Sequence, residues 1–170
     1  MSMLRTSIAL LAVVSMSSSA IAAEKDCVTE AEGSAIMASL MPDLINGLSD
    51  KCEAHLPANA YLVRNAKALS DRYKVLADQR WPMAKLAFAR MTGAPEMADS
   101  VPDEYFRPML GSMVGSELVK DIKGADCAGA DRIVENLAPL PAENVANLIG
   151  AILLLAGNDG TKKGFEICKN

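Results

Sequence analysis

The chain has 170 residues, with 17 basic and 21 acidic side chains, and its net charge is −4. This acidic balance disfavours a general affinity for nucleic acid or for anionic membranes, because both attract basic proteins. Aromatic residues make up only 4% of the chain, so a core must be built mainly from Leu, Ile, Val, Ala and the ten Met.

Residues 1–23 have the features of a secretory signal peptide. Arg5 supplies a positive charge, Ile8 to Val14 form an apolar run, and Ser17 to Ala23 end in the small residues that signal peptidase accepts. The apolar run is too short to span a bilayer. We therefore expect a cleaved signal peptide over 1–23 and an exported all-α domain over 24–170. Its expected location is periplasmic or secreted, with no stable membrane insertion after cleavage.

Four cysteines lie in the predicted exported domain: Cys27, Cys52, Cys127 and Cys168. An oxidising compartment permits two disulfides, and four cysteines allow three connectivities that sequence alone does not separate. Pairs Cys27–Cys52 and Cys127–Cys168 are favoured here, because each would flank one helical unit. No Cys-x-x-Cys spacing occurs, which argues against redox catalysis and against a zinc knuckle.

The first predicted helix begins just after Cys27. Thr29 and Glu32 have the spacing of a capping box, in which each side chain accepts a backbone hydrogen bond from the other residue. Because proline disrupts a helix interior, Pro42 is expected to end this helix or to open a second, short one that closes at Cys52. A disulfide between Cys27 and Cys52 would make the two a stapled helical hairpin.

The middle of the chain carries the longest regular pattern. One apolar stripe at helical spacing precedes Pro82 and a second follows it, so we expect two helices separated at that proline and a stop at Gly93 and Pro95. The stripe residues are Leu62, Ala66, Leu69, Tyr73 and Leu76, then Trp81, Ala84, Phe88 and Met91.

This middle segment is also strongly basic. Seven basic residues lie between Tyr61 and Arg90, against Asp71 and Asp78 as the only acidic ones. The favoured interpretation is a helix that faces acidic neighbouring helices or water. The alternative is a docking surface for an acidic protein partner in the envelope, for which the first candidate residues are Arg64, Lys67, Arg72 and Lys74.

The last third contains several helix signals. Ser100 followed by Asp103 predicts a helix start, and Asp126 can cap a short helix after Cys127. A face of small residues at Gly111, Ser112, Gly115 and Ser116 would let a neighbouring helix approach closely. We read Phe165 to Cys168 as a pinned tail.

The stretch 144–156 has no charged residue and is apolar almost all the way round, so we expect a helix that is covered on every side. The predicted fold is all-α, a single bundle of about six or seven short helices around this central helix, stapled by two disulfides.

Catalytic and metal signatures are weak. His55 is the only histidine, without a nucleophile motif, and we interpret it as a surface or capping residue. The nearest carboxylate pairs, Glu30 with Glu32 and Asp103 with Glu104, do not face one another on a helix. Oxygen ligands at Asn158, Asp159 and Thr161 fall short of a calcium loop and predict a turn. No catalytic residue, metal or cofactor is therefore assigned.

Three functions follow as hypotheses. The first is noncatalytic protein binding in the cell envelope, in an inhibitor, immunity-like, chaperone-like or accessory role. The second is a carrier of a small apolar ligand or lipid between Met-rich helices, since such pockets are common in helical bundles. An envelope hydrolase that uses paired carboxylates is the third. The oligomeric state is not predicted.

Overall fold

The structure is a computed structural model that describes residues 27–157 and residue 168. The predicted signal peptide and the predicted turn at 158–161 lie outside the described residues. The described part is helical and contains no strand, which confirms the all-α prediction. Its helices are α1 (Glu30–Cys52), α2 (Tyr61–Met91), α3 (Met97–Ser100), α4 (Asp103–Leu110), α5 (Ser116–Val119), α6 (Cys127–Leu137) and α7 (Ala142–Gly157). A π-helical turn at Gly111–Gly115 joins α4 to α5, and 3-10 turns occupy Glu53–His55 and Gly124–Asp126.

Helix α1 begins with the predicted capping box. The Thr29 hydroxyl accepts from the Glu32 backbone N–H at 3.3 Å, and the Glu32 carboxylate accepts from the Thr29 N–H at 2.9 Å. The expected break at Pro42 was wrong, because α1 runs unbroken for 23 residues. Pro42 is itself buried in the core, and its carbonyl accepts a hydrogen bond from Ser70 of α2 at 3.3 Å. Packing against α2 thus offsets the loss of the helix hydrogen bond that the proline removes.

Helix α2 also continues through its proline, so the predicted break at Pro82 was wrong as well. Both predicted stripes nonetheless lie on its buried face, and only Met91 among them is half-buried. Pro82 lacks the N–H that would donate to the carbonyl of Asp78 four residues earlier. Both residues are exposed, so water can bind this carbonyl instead.

The core lies between α1 and α2, which share the largest interface of the described part. Helix α1, and not the apolar stretch 144–156, holds the central position, because it contacts α2, α7, α5 and the π-helical turn. The expectation of a helix covered on every side was therefore wrong. Leu148, Ile152 and Leu155 of α7 are 46%, 53% and 73% exposed.

These large apolar side chains of α7 are exposed because α7 packs against α1 through the small residues of α7. Val145, Ala146 and Gly150 are buried, and a Cβ added at Gly150 would lie 3.1 Å from the backbone of Ser34. Ser34 also donates a hydrogen bond to the side chain of Asn147. Close backbone contact is made on the side of small side chains, which leaves the larger Leu and Ile side chains outward.

The two disulfides join Cys27 to Cys168 and Cys52 to Cys127, so the favoured pairing was wrong. An unbroken α1 of 23 residues is roughly 34 Å long, which separates Cys27 from Cys52 far beyond the reach of a disulfide. Cys52–Cys127 instead ties the end of α1 to the start of α6. Cys168 lies beside Val28, whose carbonyl accepts its backbone N–H at 3.1 Å, which agrees with a tail pinned at that residue.

Helix starts in the last third lie near the predicted ones. Asp126 occupies the position before α6, whereas α4 begins at Asp103 after Pro102, and Ser100 ends α3 instead of starting a helix. Within 27–157 and 168, none of the helices is both long enough and apolar enough to cross a bilayer.

Candidate functional site

An open cleft of about 410 Å³ lies between α1, α2 and the end of α4, and we call it the Trp81 cleft. Its volume falls within the range of small-molecule sites. The lining is apolar with a few charged groups, which is also the composition of such sites. The residues that form it are Ser39, Leu40, Pro42, Asp43, Lys74, Ala77, Asp78, Trp81, Arg107, Pro108, Leu110 and Gly111.

Helical spacing explains why these side chains meet. Residues three or four apart lie on one helix face, and each wall supplies such a set. Helix α1 contributes Ser39 and Asp43, and α2 contributes Lys74, Asp78 and Trp81. The third wall has Arg107 of α4 and Gly111 of the π-helical turn, again four residues apart.

Trp81 lines the cleft and is backed by an aromatic cluster. Trp81 is 4% exposed, and its ring meets that of Phe106 edge to face, with centroids 5.7 Å apart. Phe88 meets Phe106 in the same manner at 6.0 Å. Because Phe106 is fully buried, this cluster holds the indole in one place. A ligand in the cleft would therefore rest against a rigid apolar surface.

Most charged groups of the cleft have partners. The Arg107 guanidinium lies 2.5 Å from the Asp78 carboxylate and 4.6 Å from the centre of the Trp81 ring. Lys74 lies 2.6 Å from Asp71, outside the cleft. Hydrogen bonds from Lys67 and then Lys74 lower the pKa of Asp71 to about 2. Both cations of the cleft therefore have a carboxylate partner, although Lys74 shares Asp71 with Lys67.

Asp43 is the exception. Among the described residues, no cation and no hydrogen-bond donor is paired with its carboxylate, although the side chain is open to the cleft. Partial burial raises the pKa of this carboxyl above 3.8, because protein groups displace part of its water. The cleft thus contains one carboxylate without an ion-pair partner among the described residues.

Gly111 makes room for this carboxylate. A Cβ added at Gly111 would lie 2.5 Å from Oδ2 of Asp43, and one added at Gly115 would lie 3.8 Å from its Cβ. This observation agrees with the predicted close approach at the face of small residues. Both glycines lie in the π-helical turn, and such turns inside α-helices occur often at functional sites.

The hydroxyl of Ser39 is a second unsatisfied group. Its oxygen is buried, and no hydrogen-bond partner for it is found in the described part of the chain. Buried polar atoms are paired in the great majority of cases, so an unpaired one in a cleft calls for an explanation. Ser39 and Asp43 lie one helical turn apart on the same wall.

The four residues of the predicted partner surface lie on α2, and three of them have intramolecular partners. Lys67 and Lys74 both bind Asp71, at 2.7 and 2.6 Å. Arg72 donates to the carbonyl of Ala138 at the end of α6, at 2.6 Å. Arg64 is exposed and makes no ion pair within the described residues. Binding of an acidic partner to this surface stays a prediction.

The other basic residues of α2 face acidic groups of the surrounding helices. Arg80 pairs with Glu143 of α7, Lys85 with Asp103 of α4 at 2.7 Å, and Arg90 with Glu32 of α1 at 2.6 Å. Lys85 lowers the pKa of Asp103. This arrangement agrees with the favoured interpretation of the basic segment as a helix facing acidic neighbours.

The carboxylates that were weighed as acid/base pairs serve helix starts. Glu32 belongs to the capping box of α1, and although burial opposes its ionisation, hydrogen bonds from Thr29 and Arg90 lower its pKa. Asp103 lies in the first turn of α4. The predicted turn residues Asn158, Asp159 and Thr161 lie outside the described residues.

His55 lies exposed in a 3-10 turn. Its ring packs where a Cβ of residue 124 would be, since a Cβ added at Gly124 would lie 2.7 Å from the ring. This position agrees with a surface residue. In the stretch 27–157 with residue 168, no cluster of three or more His, Cys, Asp and Glu side chains suits a metal ion.

Sequence reasoning missed the Trp81 cleft. Trp81 was assigned to the core stripe, and Asp43 was not singled out at all. The local signal was present on α2, where Lys74 and Asp78 lie at helical spacing before Trp81 and place charge beside the apolar stripe. No local pattern, however, connects these residues with Asp43 or Arg107.

Comparison with protein-family models, with curated proteins and with solved structures finds no match to this chain. The function must therefore be argued from the chemistry of the cleft.

Proposed function

We propose that this protein is an exported, noncatalytic binding protein that holds a small, largely apolar ligand in the Trp81 cleft. The observation that carries the proposal is the cleft itself, where a rigid indole and apolar side chains from three helices surround a few polar groups. Ligand sites in helical bundles have this composition. The proposal corresponds to the carrier hypothesis derived from the sequence.

Binding without catalysis is favoured by the state of the polar groups. An acid/base mechanism needs two carboxyl groups free to act on one substrate. Asp43 and Asp78 both line the cleft, but Asp78 is held by the guanidinium of Arg107. Ser39 and Asp43 lie in the cleft without a histidine, since the single His55 is in a turn that does not line it.

Export is proposed from two features. Residues 1–23 have the composition of a signal peptide, and the four cysteines form two disulfides that an oxidising compartment would maintain. Neither disulfide closes a short Cys-x-x-Cys loop, so both suit a structural role.

Docking of an acidic protein has less support than ligand binding. Three of its four candidate residues use their charge or hydrogen bonds inside the molecule. Exposed ion pairs contribute little to stability and can be replaced by ion pairs with a partner protein. Docking of an acidic protein is therefore kept as a second proposal, below ligand binding. Charge reversal at Arg64, the residue without an ion pair in the described part, would test it by loss of partner recovery at low salt.

The first experiment asks whether the cleft binds an apolar molecule. Trp81 is the only tryptophan, so its fluorescence reports on this site alone. The neutral probe N-phenyl-1-naphthylamine should quench Trp81 by energy transfer. Native mass spectrometry of protein purified from the envelope should show a retained small mass.

Matched substitutions on α2 locate the binding. Ala77→Leu fills the cleft, because Ala77 lines it and is 5% exposed, whereas Ala68→Leu adds the same group to an exposed position outside the cleft. The added side chain occupies volume that the probe needs, so Ala77→Leu should weaken probe binding about tenfold or more. Ala68→Leu should leave probe binding unchanged. An apo mass spectrum together with an unchanged Trp81 emission would contradict the proposal.

A further inference from the structure

We infer that the ligand of the Trp81 cleft carries a protonated primary or secondary amine, which binds between Asp43 and Ser39 of α1. This inference rests on the proposed function, because it assigns the chemical class of the molecule that the cleft holds. It concerns the polar end of the ligand, whereas the apolar body lies against Trp81.

Charge is the first argument. Four charged side chains line the cleft, and two of them form the Arg107–Asp78 pair at 2.5 Å. The third, Lys74, lies 2.6 Å from Asp71, which it shares with Lys67. Asp43 alone has no ion-pair partner within the described residues. Its carboxylate therefore favours a cation at this position over a carboxylate or a phosphate.

Hydrogen bonding strengthens this preference. The Asp43 side chain is exposed at the cleft, and no donor within the described residues binds its carboxylate. A charge-assisted hydrogen bond to such an oxygen is roughly twice as strong as a neutral one. A ligand ammonium would therefore make a hydrogen bond that the folded protein does not supply.

Geometry points to an amine with at least two N–H donors, of which a primary amine is the simplest. Ser39 and Asp43 are four residues apart on α1, so their Cβ atoms are about 5–6 Å apart on one face. The Ser39 oxygen has no partner in the described part of the chain. A single –NH₃⁺ group has three donors and can bridge the carboxylate and the hydroxyl. A tertiary or quaternary amine lacks the donors for both bonds.

A metal ion fits the same position less well. Calcium and magnesium take six or more oxygen ligands, including several carboxylates in most protein sites. The cleft offers two carboxylates, and Asp78 is occupied by Arg107. The described residues contain no cluster of three metal-binding side chains. An organic cation with an apolar chain uses both the charge and the apolar walls.

The test compares three probes of equal length: n-hexylamine, n-hexanol and hexanoate. Binding is followed by Trp81 fluorescence and by amide chemical shifts at neutral pH. We expect hexylamine to bind about tenfold or more tighter than hexanol, as is typical of a hydrogen bond to a charged group, and hexanoate to bind weakest. Circular dichroism of every variant verifies that the fold is intact.

Asp43→Asn removes the charge at nearly constant size and should abolish the advantage of hexylamine over hexanol. The matched control is Asp50→Asn, which makes the same change at an exposed position of α1 outside the cleft and should preserve that advantage. Ser39→Ala should reduce it in part. For the wild type, the advantage should also disappear at acid pH, as Asp43 becomes protonated.

The outcomes separate the inference from the function on which it rests. If hexylamine and hexanol bind equally while Trp81 responds to both, the cleft binds ligands but the amine assignment is overturned. Equal loss in Asp43→Asn and Asp50→Asn would overturn it too. If none of the three probes binds while N-phenyl-1-naphthylamine does, the amine is again excluded and the binding function stands. Failure of all four probes would overturn both.

Discussion

Asp131 shows how one side chain can complete a helix that lies far from it in sequence. Helix α2 begins after Ala60, which cannot cap it with its own side chain. The carboxylate of Asp131, on α6, accepts instead from the backbone N–H groups of Leu62 at 2.7 Å and of Tyr61 at 3.3 Å. Since Asp131 is 9% exposed, it acts as a buried cap and places a negative charge at the positive end of α2.

Replacement of Asp131 by Ala should therefore destabilise the protein. Two backbone donors would be left without their acceptor in a region shielded from water, at a cost of about 1–3 kcal/mol. Asp131→Asn keeps an acceptor and should cost less. Urea unfolding gives the change in free energy, with Glu135→Ala as a control at an exposed position of α6. A loss no larger than that of the control would show that the cap is not used.

Asp43 should have the opposite effect on stability. Its folded pKa is raised, so the folded protein holds this proton to a higher pH than the unfolded chain. Wild-type stability therefore decreases as the pH rises from the unfolded pKa of 3.8 through the folded one, and the full loss is present at neutral pH. Asp43→Asn avoids that loss and should unfold at an equal or higher urea concentration at neutral pH.

The advantage of Asp43→Asn should vanish well below pH 3.8, where Asp43 is protonated in both the folded and the unfolded state. Asp50→Asn controls for the general effect of removing one negative charge from an acidic protein. A variant less stable than that control at neutral pH would mean that the Asp43 carboxylate has a stabilising partner. A residue that weakens the fold and lies in a cleft is typical of a binding site, where function is maintained at some expense of stability.

At the scale of elements, the contact between α1 and α7 depends on glycine. A Cβ at position 150 would lie 3.1 Å from both the backbone N and the Cα of Ser34, and backbone atoms cannot turn aside as a side chain can. Gly150 therefore sets how closely α7 approaches α1. The same contact decides which face of α7 is turned outward.

Gly150→Ala should destabilise the protein by about 1–2 kcal/mol, since overpacking outweighs the gain in helix propensity. Gly129→Ala is the matched control, because nothing lies within 4 Å of a Cβ added there in helix α6. That variant should be stabilised by about 0.5–1 kcal/mol. Thermal or urea unfolding measures both. Equal gains in the two variants would show that α7 does not pack tightly on α1.

At the scale of the whole molecule, the disulfides close long loops. Cys52–Cys127 spans 75 residues and Cys27–Cys168 spans 141. In the chain-entropy model, loops of this size stabilise a fold by about 4–5 kcal/mol each, although strain reduces what is measured. The two bonds differ in access, because Cys52 and Cys127 are fully buried while Cys27 and Cys168 are half-buried.

Mild reduction should consequently open Cys27–Cys168 first and leave the helical bundle folded. Alkylation followed by peptide mass mapping identifies the bond that has opened, and circular dichroism follows the helices. Opening of Cys52–Cys127 should require partial unfolding and should lower stability more. A nonreduced digest that links Cys27 to Cys52 would contradict the structure.

The sequence by itself determined the helical class, the capping box that starts α1 and the buried stripe of α2. These features depend on residues within a turn or two of one another, and local hydrogen bonds and periodicity decide them. Tertiary structure decided the rest. Pro42 and Pro82 do not break their helices, because contacts with other helices outweigh a local cost of about 3 kcal/mol.

Continuity of α1 then decided the disulfide pairing, since a rigid helix holds Cys27 and Cys52 apart. The small face of α7 decided that its larger apolar side chains point outward. The Trp81 cleft joins three helices through residues up to 72 positions apart in sequence, from Ser39 to Gly111. Distances between such residues depend on how whole helices pack, and no local pattern in the chain encodes them.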